Sequence, residues 1–319
     1  MTSETHNIAG ETEQADGIER RAHVTTKQRV IRQILSDPLA MVGGSVVLVV
    51  SALAVFSAVD QFLLERRLIT ALLSDPYATN RDARLVSPSL EHPMGTDHQG
   101  RDVLARVLYG TRTSIFVGVT AVTTAATFGI LIGAVTAYYG NLTDMIGMRA
   151  MDVLLAFPAI LLAIGLLAIF GRGITNVILA ITIVYTPIFA RVARSEFLSE
   201  KSEEYVDAAR VIGYPDRRIM IRELLPNCLT SITVQFTFSL ALAIIAEASL
   251  SFLGVGVSPI TPSWGMMLSQ ARDYMTIAWW FSLFPGLSIA ITVFSFNLLG
   301  DSLRDALDPE DGSGGGGII

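Results

Sequence analysis

Charge is scarce in this chain. Of its 319 residues only 16% are Asp, Glu, Lys or Arg, where soluble domains usually carry about 25%. Apolar residues make up 51%, and the mean hydropathy is +0.51. Such a composition predicts a membrane protein. Cysteine occurs once, at Cys228, which excludes an intramolecular disulfide and a cysteine metal cluster. Lysine occurs only at Lys27 and Lys201. The net charge of −6 sits mostly in the two ends, at Glu4, Glu11, Glu13 and Asp16 and at Asp301, Asp305, Asp308, Glu310 and Asp311, which argues against a nucleic-acid partner. The four histidines contain no H-E-x-x-H, and His92, Asp97 and His98 form only a thin metal-site candidate. There is no G-x-S-x-G elbow and no G-x-x-x-x-G-K-[ST] phosphate loop. No catalytic residue, resident metal or bound cofactor is therefore expected.

What the chain has instead is long apolar runs. A bilayer core of about 30 Å needs roughly 20 apolar helical residues. Six segments qualify: approximately 39–59, 113–137, 153–170, 174–190, 229–250 and 278–299. The first lies behind a charged tail with no small-residue cleavage pattern after it, and reads as a retained span rather than a signal peptide. The expected fold is an all-α integral membrane protein with six transmembrane helices. Its parts would be an N-terminal tail (1–37), a first span (38–60), an extracytoplasmic loop (61–112), a transmembrane core (113–300) holding a polar loop at 191–228, and a C-terminal tail (301–319). With the N-terminus inside, the inner face holds 14 of the 23 basic residues, and that bias predicts both termini in the cytoplasm of a multi-pass plasma-membrane protein.

The stretch EYVDAARVIGYPDRRIMIRELLPN, from Glu204 to Asn227, is the charged exception between the fourth and fifth spans. Ser202 fits an N-cap, Glu203 and Glu204 suit the first turn, and Gly213 supplies a C-terminal stop. The predicted helix over 203–212 places Tyr205, Ala208, Ala209 and Ile212 on one small face. Pro215 restarts a second helix carrying Arg217, Arg218 and Arg222, expected to end at Pro226. An alanine-centred face between charges suits docking into a partner's groove, because small side chains let backbones approach. An interfacial helix in the lipid headgroups would carry Leu, Phe or Trp there.

Elsewhere, Val103, Leu104, Val107 and Leu108 form a stripe opposed by Arg101, Asp102 and Arg106, predicting an amphipathic helix over 99–110 that lies on the outer surface or packs on the bundle. It would scaffold the second span's entry or form part of a landing surface. Glu247, toward the outer end of the fifth span, is costly in lipid and must face protein or water. It lines a translocation path or serves as a structural hydrogen-bond partner. Gly129 and Gly133 allow tight helix contact, and Pro158 and Pro187 are expected to bend the third and fourth spans.

Asp207-Ala208-Ala209, three residues, Gly213, nine residues, and Glu223-Leu224-Leu225-Pro226 resemble the EAA loop of permease subunits in ATP-binding-cassette importers. Asp207 stands in place of the family's Glu and Glu223 in place of isoleucine. MGTDHQGRDVLARVLYGTRTSI (94–115), ASLSFLGVGVSPITPSWGMML (248–268) and NLLGDSLRDALDP (297–309) resemble the C-type permeases of dipeptide, oligopeptide and nickel importers. The resemblance runs from about Pro38 to Pro309. It implies that Glu204, Tyr205, Asp207, Ala208, Ala209, Arg210 and Gly213 form a cytoplasmic coupling helix, with Asp207 and Arg210 as polar contacts. It also implies partners: a second permease, two ATPase subunits that bind ATP and Mg, and an extracytoplasmic solute-binding protein. The implied substrate is a peptide or a related solute such as a nickel chelate. An ion-coupled secondary transporter is the alternative, but it gives no reason for the polar loop. A helix-turn-helix reading of that loop fails because an acidic first helix beside a membrane repels phosphates. The Gly-rich end GSGGGGII has no composition for fixed structure.

Overall fold

The computed structural model describes residues 37–64 and 67–307; the N-terminal tail and the last residues of the C-terminal tail, with the readings that fall on them, lie outside that range. The described residues are helices and connecting loops, with no strand among them. Ten helices are labelled here: α1 (Pro38–Phe62), α2 (Arg67–Leu72), α3 (Val103–Tyr139), α4 (Asn141–Leu155), α5 (Ala159–Phe170), α6 (Ile174–Lys201), α7 (Glu204–Val211), α8 (Asp216–Phe252), α9 (Trp264–Ala271) and α10 (Trp279–Leu307).

Five of them, α1, α3, α6, α8 and α10, are long and apolar enough to cross a membrane, and the pair α4 and α5 makes a sixth candidate. That pair corrects the expectation of one third span over 153–170. Pro158 has no N–H to donate and cannot continue the helix of Leu155, so the axis turns by 91° between α4 and α5. α6, by contrast, runs unbroken through Pro187.

The starts are set by local chemistry. Asp37 accepts a hydrogen bond from the Leu39 amide at 2.9 Å, with Pro38 at the first helical position. Asp102 accepts one from Ala105 at 2.9 Å and starts α3. The expected surface helix over 99–110 is therefore not a separate element: its second half is the first two turns of the 37-residue α3.

α6 is the central helix, with 61% of its most apolar window buried against 17% for α1, which lies at the periphery. α3 crosses α6 at close range because of Gly129 and Gly133. A Cβ at Gly129 would stand 2.4 Å from the Phe189 Cβ, and one at Gly133 2.5 Å from the Ala190 carbonyl oxygen. The G-x-x-x-G thus serves packing. One apolar cluster fills the bundle from Val103 through Phe189 to Phe296, and a second, smaller one gathers at the end where α3 and α6 terminate. The two ends of the bundle differ. One carries α7, the other carries α9 and the loop over 73–102.

Candidate coupling segment and outer polar cluster

At the α7 end, the charged stretch folds back on the bundle. α6 extends to Lys201 and Ser202 closes it, its Oγ donating to the Ser199 carbonyl at 2.7 Å. Ser202 is thus spent on α6 and is not the N-cap of α7. Glu203 occupies that position without a side-chain cap. The expected stop does form. Gly213 takes φ +87°, its amide reaches the Arg210 carbonyl at 2.9 Å, and the Tyr214 amide reaches that of Ala209 at 3.1 Å. This paired closure needs a left-handed residue that only glycine adopts cheaply.

The face reading needs correction. Val206 and Ala209 are the buried pair of α7, while Tyr205, Ala208 and Ile212 are exposed, Ile212 by 68%. The outward face comprises Glu204, Asp207, Ala208 and Val211, with Val211 88% exposed. The Arg210 guanidinium pairs with Asp207 at 2.7 Å. Val206 and Ala209 plug into the smaller apolar cluster, among Ala134, Ala137, Ala193, Phe197, Ile219 and Leu224. α7 is thereby seated on the π-helical start of α8, in a cluster to which α3 and α6 also contribute.

Polar ties reinforce the plug. The Tyr205 hydroxyl donates to Glu200 Oε2 at 2.7 Å and accepts from Asn227 Nδ2 at 2.9 Å. Burial and then the Glu200 carboxylate push that phenol up to about 12, so it stays a neutral donor. Lys201 Nζ donates to the Ala137 and Tyr138 carbonyls at 3.2 and 2.6 Å, satisfying the open end of α3. The Tyr138 hydroxyl donates to Asp216 Oδ1 at 2.7 Å. Pro226, expected to end the second helix, lies inside α8. The stretch Ile219–Leu224 is π-helical, with Leu225 N–H reaching back to Met220, and its wider turn accommodates the proline ring. Sequence reasoning missed Val206, Glu200, Asn227 and Lys201. Only Val206 left a trace, at i−3 from Ala209.

The opposite end is built on buried charge. Asp97 Oδ1 accepts from the Gln99 and Arg101 amides at 2.7 and 3.0 Å, and Oδ2 from Arg101 Nε at 2.6 Å. Arg106 Nε lies 3.6 Å from the same Oδ2, and the side chains of Asp97 and Arg106 are fully buried. Arg101 and Arg106 both donate to Gln270 Oε1, at 3.1 and 3.4 Å, and Arg106 also donates to the Pro76 carbonyl. Arg101, Asp102 and Arg106 were expected on a polar outer face. Arg101 and Arg106 point inward because Asp97 and Gln270 supply partners there, and Asp102 is buried where it caps α3. His92 Nδ1 lies 2.8 Å from Asp102 Oδ2, whereas the His98 ring stacks on Tyr274 and Phe281. The two histidines thus serve different neighbours. Burial, with Arg101, Arg106 and Arg84 against the opposing pull of Asp97, holds the His98 pKa below the usual imidazole value.

Glu247 is fully enclosed. Ser114 Oγ donates to its Oε2 at 3.1 Å and Ser251 Oγ to its Oε1 at 2.8 Å. It joins α3 to α8, as a structural hydrogen-bond partner would. Cys228, too, has no exposed surface, so the native thiol cannot report topology.

Comparison with known proteins places this geometry. Residues 129–310 match the family model described as "Binding-protein-dependent transport system inner membrane component". The chain is 42% identical over 288 residues to the dipeptide transport system permease protein DppC of Alkalihalophilus pseudofirmus, covering 90% of this chain and 91% of that one. It is 49% identical over 223 residues to the glutathione transport system permease protein GsiD of Escherichia coli, covering 70% and 74%. Among solved structures, an inward-facing form of the MetNI methionine ABC transporter aligns with a TM-score of 0.53 at 18% identity, covering 64% of this chain and 96% of that one; this likeness is one of fold. None of these relatives supports a nickel chelate or an ion-coupled carrier.

Proposed function

Because the chain belongs to the family of binding-protein-dependent transport system inner membrane components, a multi-pass membrane permease family, we propose that it is the translocating subunit of an importer for short peptides. ATP is hydrolysed, with Mg, on two separate ATPase subunits. A second, similar permease completes the pathway, and an extracytoplasmic binding protein delivers the peptide. Relatives named for dipeptide and glutathione transport support the peptide class.

The observation that carries the mechanism is the seating of α7. Its outward face of Glu204, Asp207, Ala208 and Val211 is open, while Val206 and Ala209 are locked into a cluster shared by α3, α6 and α8. A push on that face passes first to the start of α8, on which α7 is seated, and through the shared cluster to α3 and α6. Asp207 and Arg210 hold the helix surface in register for the ATPase, and Gly213 lets the chain turn back. On this reading α7 and both termini face the cytoplasm. The loop over 73–102, with the entry of α3, faces outside and scaffolds the receptor's landing site. Glu247 fastens α3 to α8 and does not line the path.

The test is co-purification and uptake. The assembly extracted in mild detergent is expected to retain two ATPases and a partner permease. In proteoliposomes, Ala208→Trp combined with Val211→Asp is expected to release the ATPases and abolish ATP-driven peptide uptake. Full uptake by that double variant would overturn the assignment of α7.

A further inference from the structure

A cavity of about 690 Å³ opens at the α7 end between α6, α8 and α10, within the about 300–1,000 Å³ typical of small-molecule sites. Glu196 enters it from α6 and Arg304 from α10, and α8 contributes a stripe that includes Thr230, Ser231 and Gln235. Among the described residues, neither Glu196 nor Arg304 makes a hydrogen bond or an ion pair, and the hydroxyls of Thr230 and Ser231 are likewise uncommitted. Elsewhere on α8 the expected economy holds: Thr233 and Thr237 donate to carbonyls of their own helix, at 2.6 and 3.1 Å. Hydroxyls on an apolar helix usually bond back in this way. Two opposite charges and two free hydroxyls facing one cavity without pairing to each other form a set of groups awaiting partners.

The arrangement selects a chemistry. Glu196 is half-buried, with Glu200 one turn further along α6, so its side of the cavity favours a cation. Arg304 presents a planar guanidinium suited to a carboxylate. The hydroxyls of Thr230 and Ser231 lie on a third helix and can pair with neutral donors and acceptors, and Gln235, whose Nε2 donates to Ser239 Oγ at 3.0 Å, keeps its Oε1 to accept. A ligand with an ammonium at one end, a carboxylate at the other and an amide in between meets all of these needs.

We propose that this cavity is a binding site for the free backbone of a short peptide, with Glu196 holding the α-ammonium, Arg304 the α-carboxylate, and Thr230, Ser231 and Gln235 the peptide group. The inference rests on the peptide reading above and deepens it, because it gives the permease itself a hold on the cargo at its inner mouth, apart from the external receptor. The site reads termini and backbone and no side chain, so it accepts peptides of varied sequence. Occupied by peptide already inside, it sits between helices that must move when α7 is driven.

The experiment uses the full transporter assembly, without the external receptor, in lipid nanodiscs. Equilibrium dialysis with radiolabelled Ala-Ala is expected to show saturable binding. Glu196→Gln and Arg304→Gln are each expected to weaken it by about tenfold or more, the scale of a lost charge-assisted hydrogen bond. The pattern with blocked peptides is specific: N-acetyl-Ala-Ala should bind Glu196→Gln and the wild type equally, and Ala-Ala-amide should bind Arg304→Gln and the wild type equally. Should either variant fail to assemble, the wild type alone decides, because both blocked peptides must bind at least tenfold more weakly than Ala-Ala. Equal binding of free and blocked peptides, no binding at all, or unchanged affinity in both variants overturns the site. An assembly that imports peptide but fails these tests leaves the transport reading standing; an assembly with an active ATPase and no peptide uptake fails that reading instead.

Discussion

Replacing Asp97 by Asn tests how the α9 end is held. The asparagine oxygen can still accept from the Gln99 and Arg101 amides, now 2.7 and 3.0 Å from Oδ1. The other side-chain atom becomes an NH₂ where Oδ2 stood, 2.6 Å from Arg101 Nε. A donor then faces a donor, and Arg101 and Arg106, with side chains 6% and 0% exposed, lose their one shared carboxylate. Removing one partner of a buried ion pair costs about 3–5 kcal/mol. At about 1.4 kcal/mol per tenfold, the local opening equilibrium of the loop that Asp97 anchors rises by about two to three and a half decades. The assay is hydrogen exchange read on peptides spanning 95–107, in nanodiscs at constant pH. Exchange there is expected to accelerate by about a hundredfold or more, with α6 peptides unchanged. Because the pair is dry, the acceleration should be nearly the same at low and high salt. Exchange within about threefold of the wild type would refute the reasoning, since the two arginines would then not depend on Asp97.

Gly133→Ala gains about 1 kcal/mol of helix propensity, but its methyl would meet the Ala190 oxygen at 2.5 Å and the Ala193 Cβ at 2.8 Å. The clash with backbone wins, and the thermal midpoint in detergent is expected to fall by an amount matching about 1–3 kcal/mol. Cysteines introduced in a Cys228→Ser background at Val211 and Leu90, 88% and fully exposed, should react with impermeant maleimide from opposite faces, Leu90→Cys in intact cells and Val211→Cys only in inverted vesicles. Labelling of both from one face would sink the topology. His98 has its pKa lowered from 6.5 by burial foremost. The unfolded chain therefore takes up the proton more readily, and stability present above pH about 6.5 is lost as the pH falls below it. The unfolding midpoint should drop between pH 7.5 and 5.5, and less so in His98→Gln.

The long apolar runs were legible because hydropathy over about 20 residues is a property of the chain itself. So was the Gly213 stop, which depends on one residue's conformational freedom. The buried face of α7 was not. In two turns of helix, Val206 and Ile212 are equally plausible anchors, and the cluster of Phe197, Ile219 and Leu224 that selects Val206 comes from other helices. Arg106 was misread for a related reason. An arginine opposite an apolar stripe reads as solvated until a carboxylate nine residues earlier and a glutamine on α9 are folded against it. Pro158 could be marked as a weak point, but the 91° turn depends on where α4 and α5 pack. Pro226 looked like a terminator because the π-helical stretch that absorbs it has no sequence signature strong enough to recognise.

The two ends of the bundle are fastened in different ways, and the difference bears on how it moves. The α9 end is tied by Asp97 with Arg101 and Arg106, by the Trp264 and Trp280 indoles donating to the Val107 and Thr96 carbonyls, and by Glu247 between two serines, nearly all out of solvent. At the α7 end the ion pairs reach solvent: Arg191 with Asp152 at 55% and 44% exposure, Arg210 with Asp207 at 39% and 73%, and the doubly bonded, half-buried Arg194 with Asp144 at 34% and 26%. Exposed pairs contribute about 0–1 kcal/mol each, against about 3–5 kcal/mol for breaking a buried one. If force enters through Val206 and Ala209, as proposed above, it rearranges contacts at the α7 end before it can pry apart the loops at the α9 end. On that proposal the cap at the α9 end is carried along intact, and opening there requires the bundle to tilt as a unit. The 91° elbow between α4 and α5 lies where such a tilt can be absorbed, since α4 is tied to α6 through pairs that reach solvent, the half-buried Asp144 with Arg194 and the exposed Asp152 with Arg191.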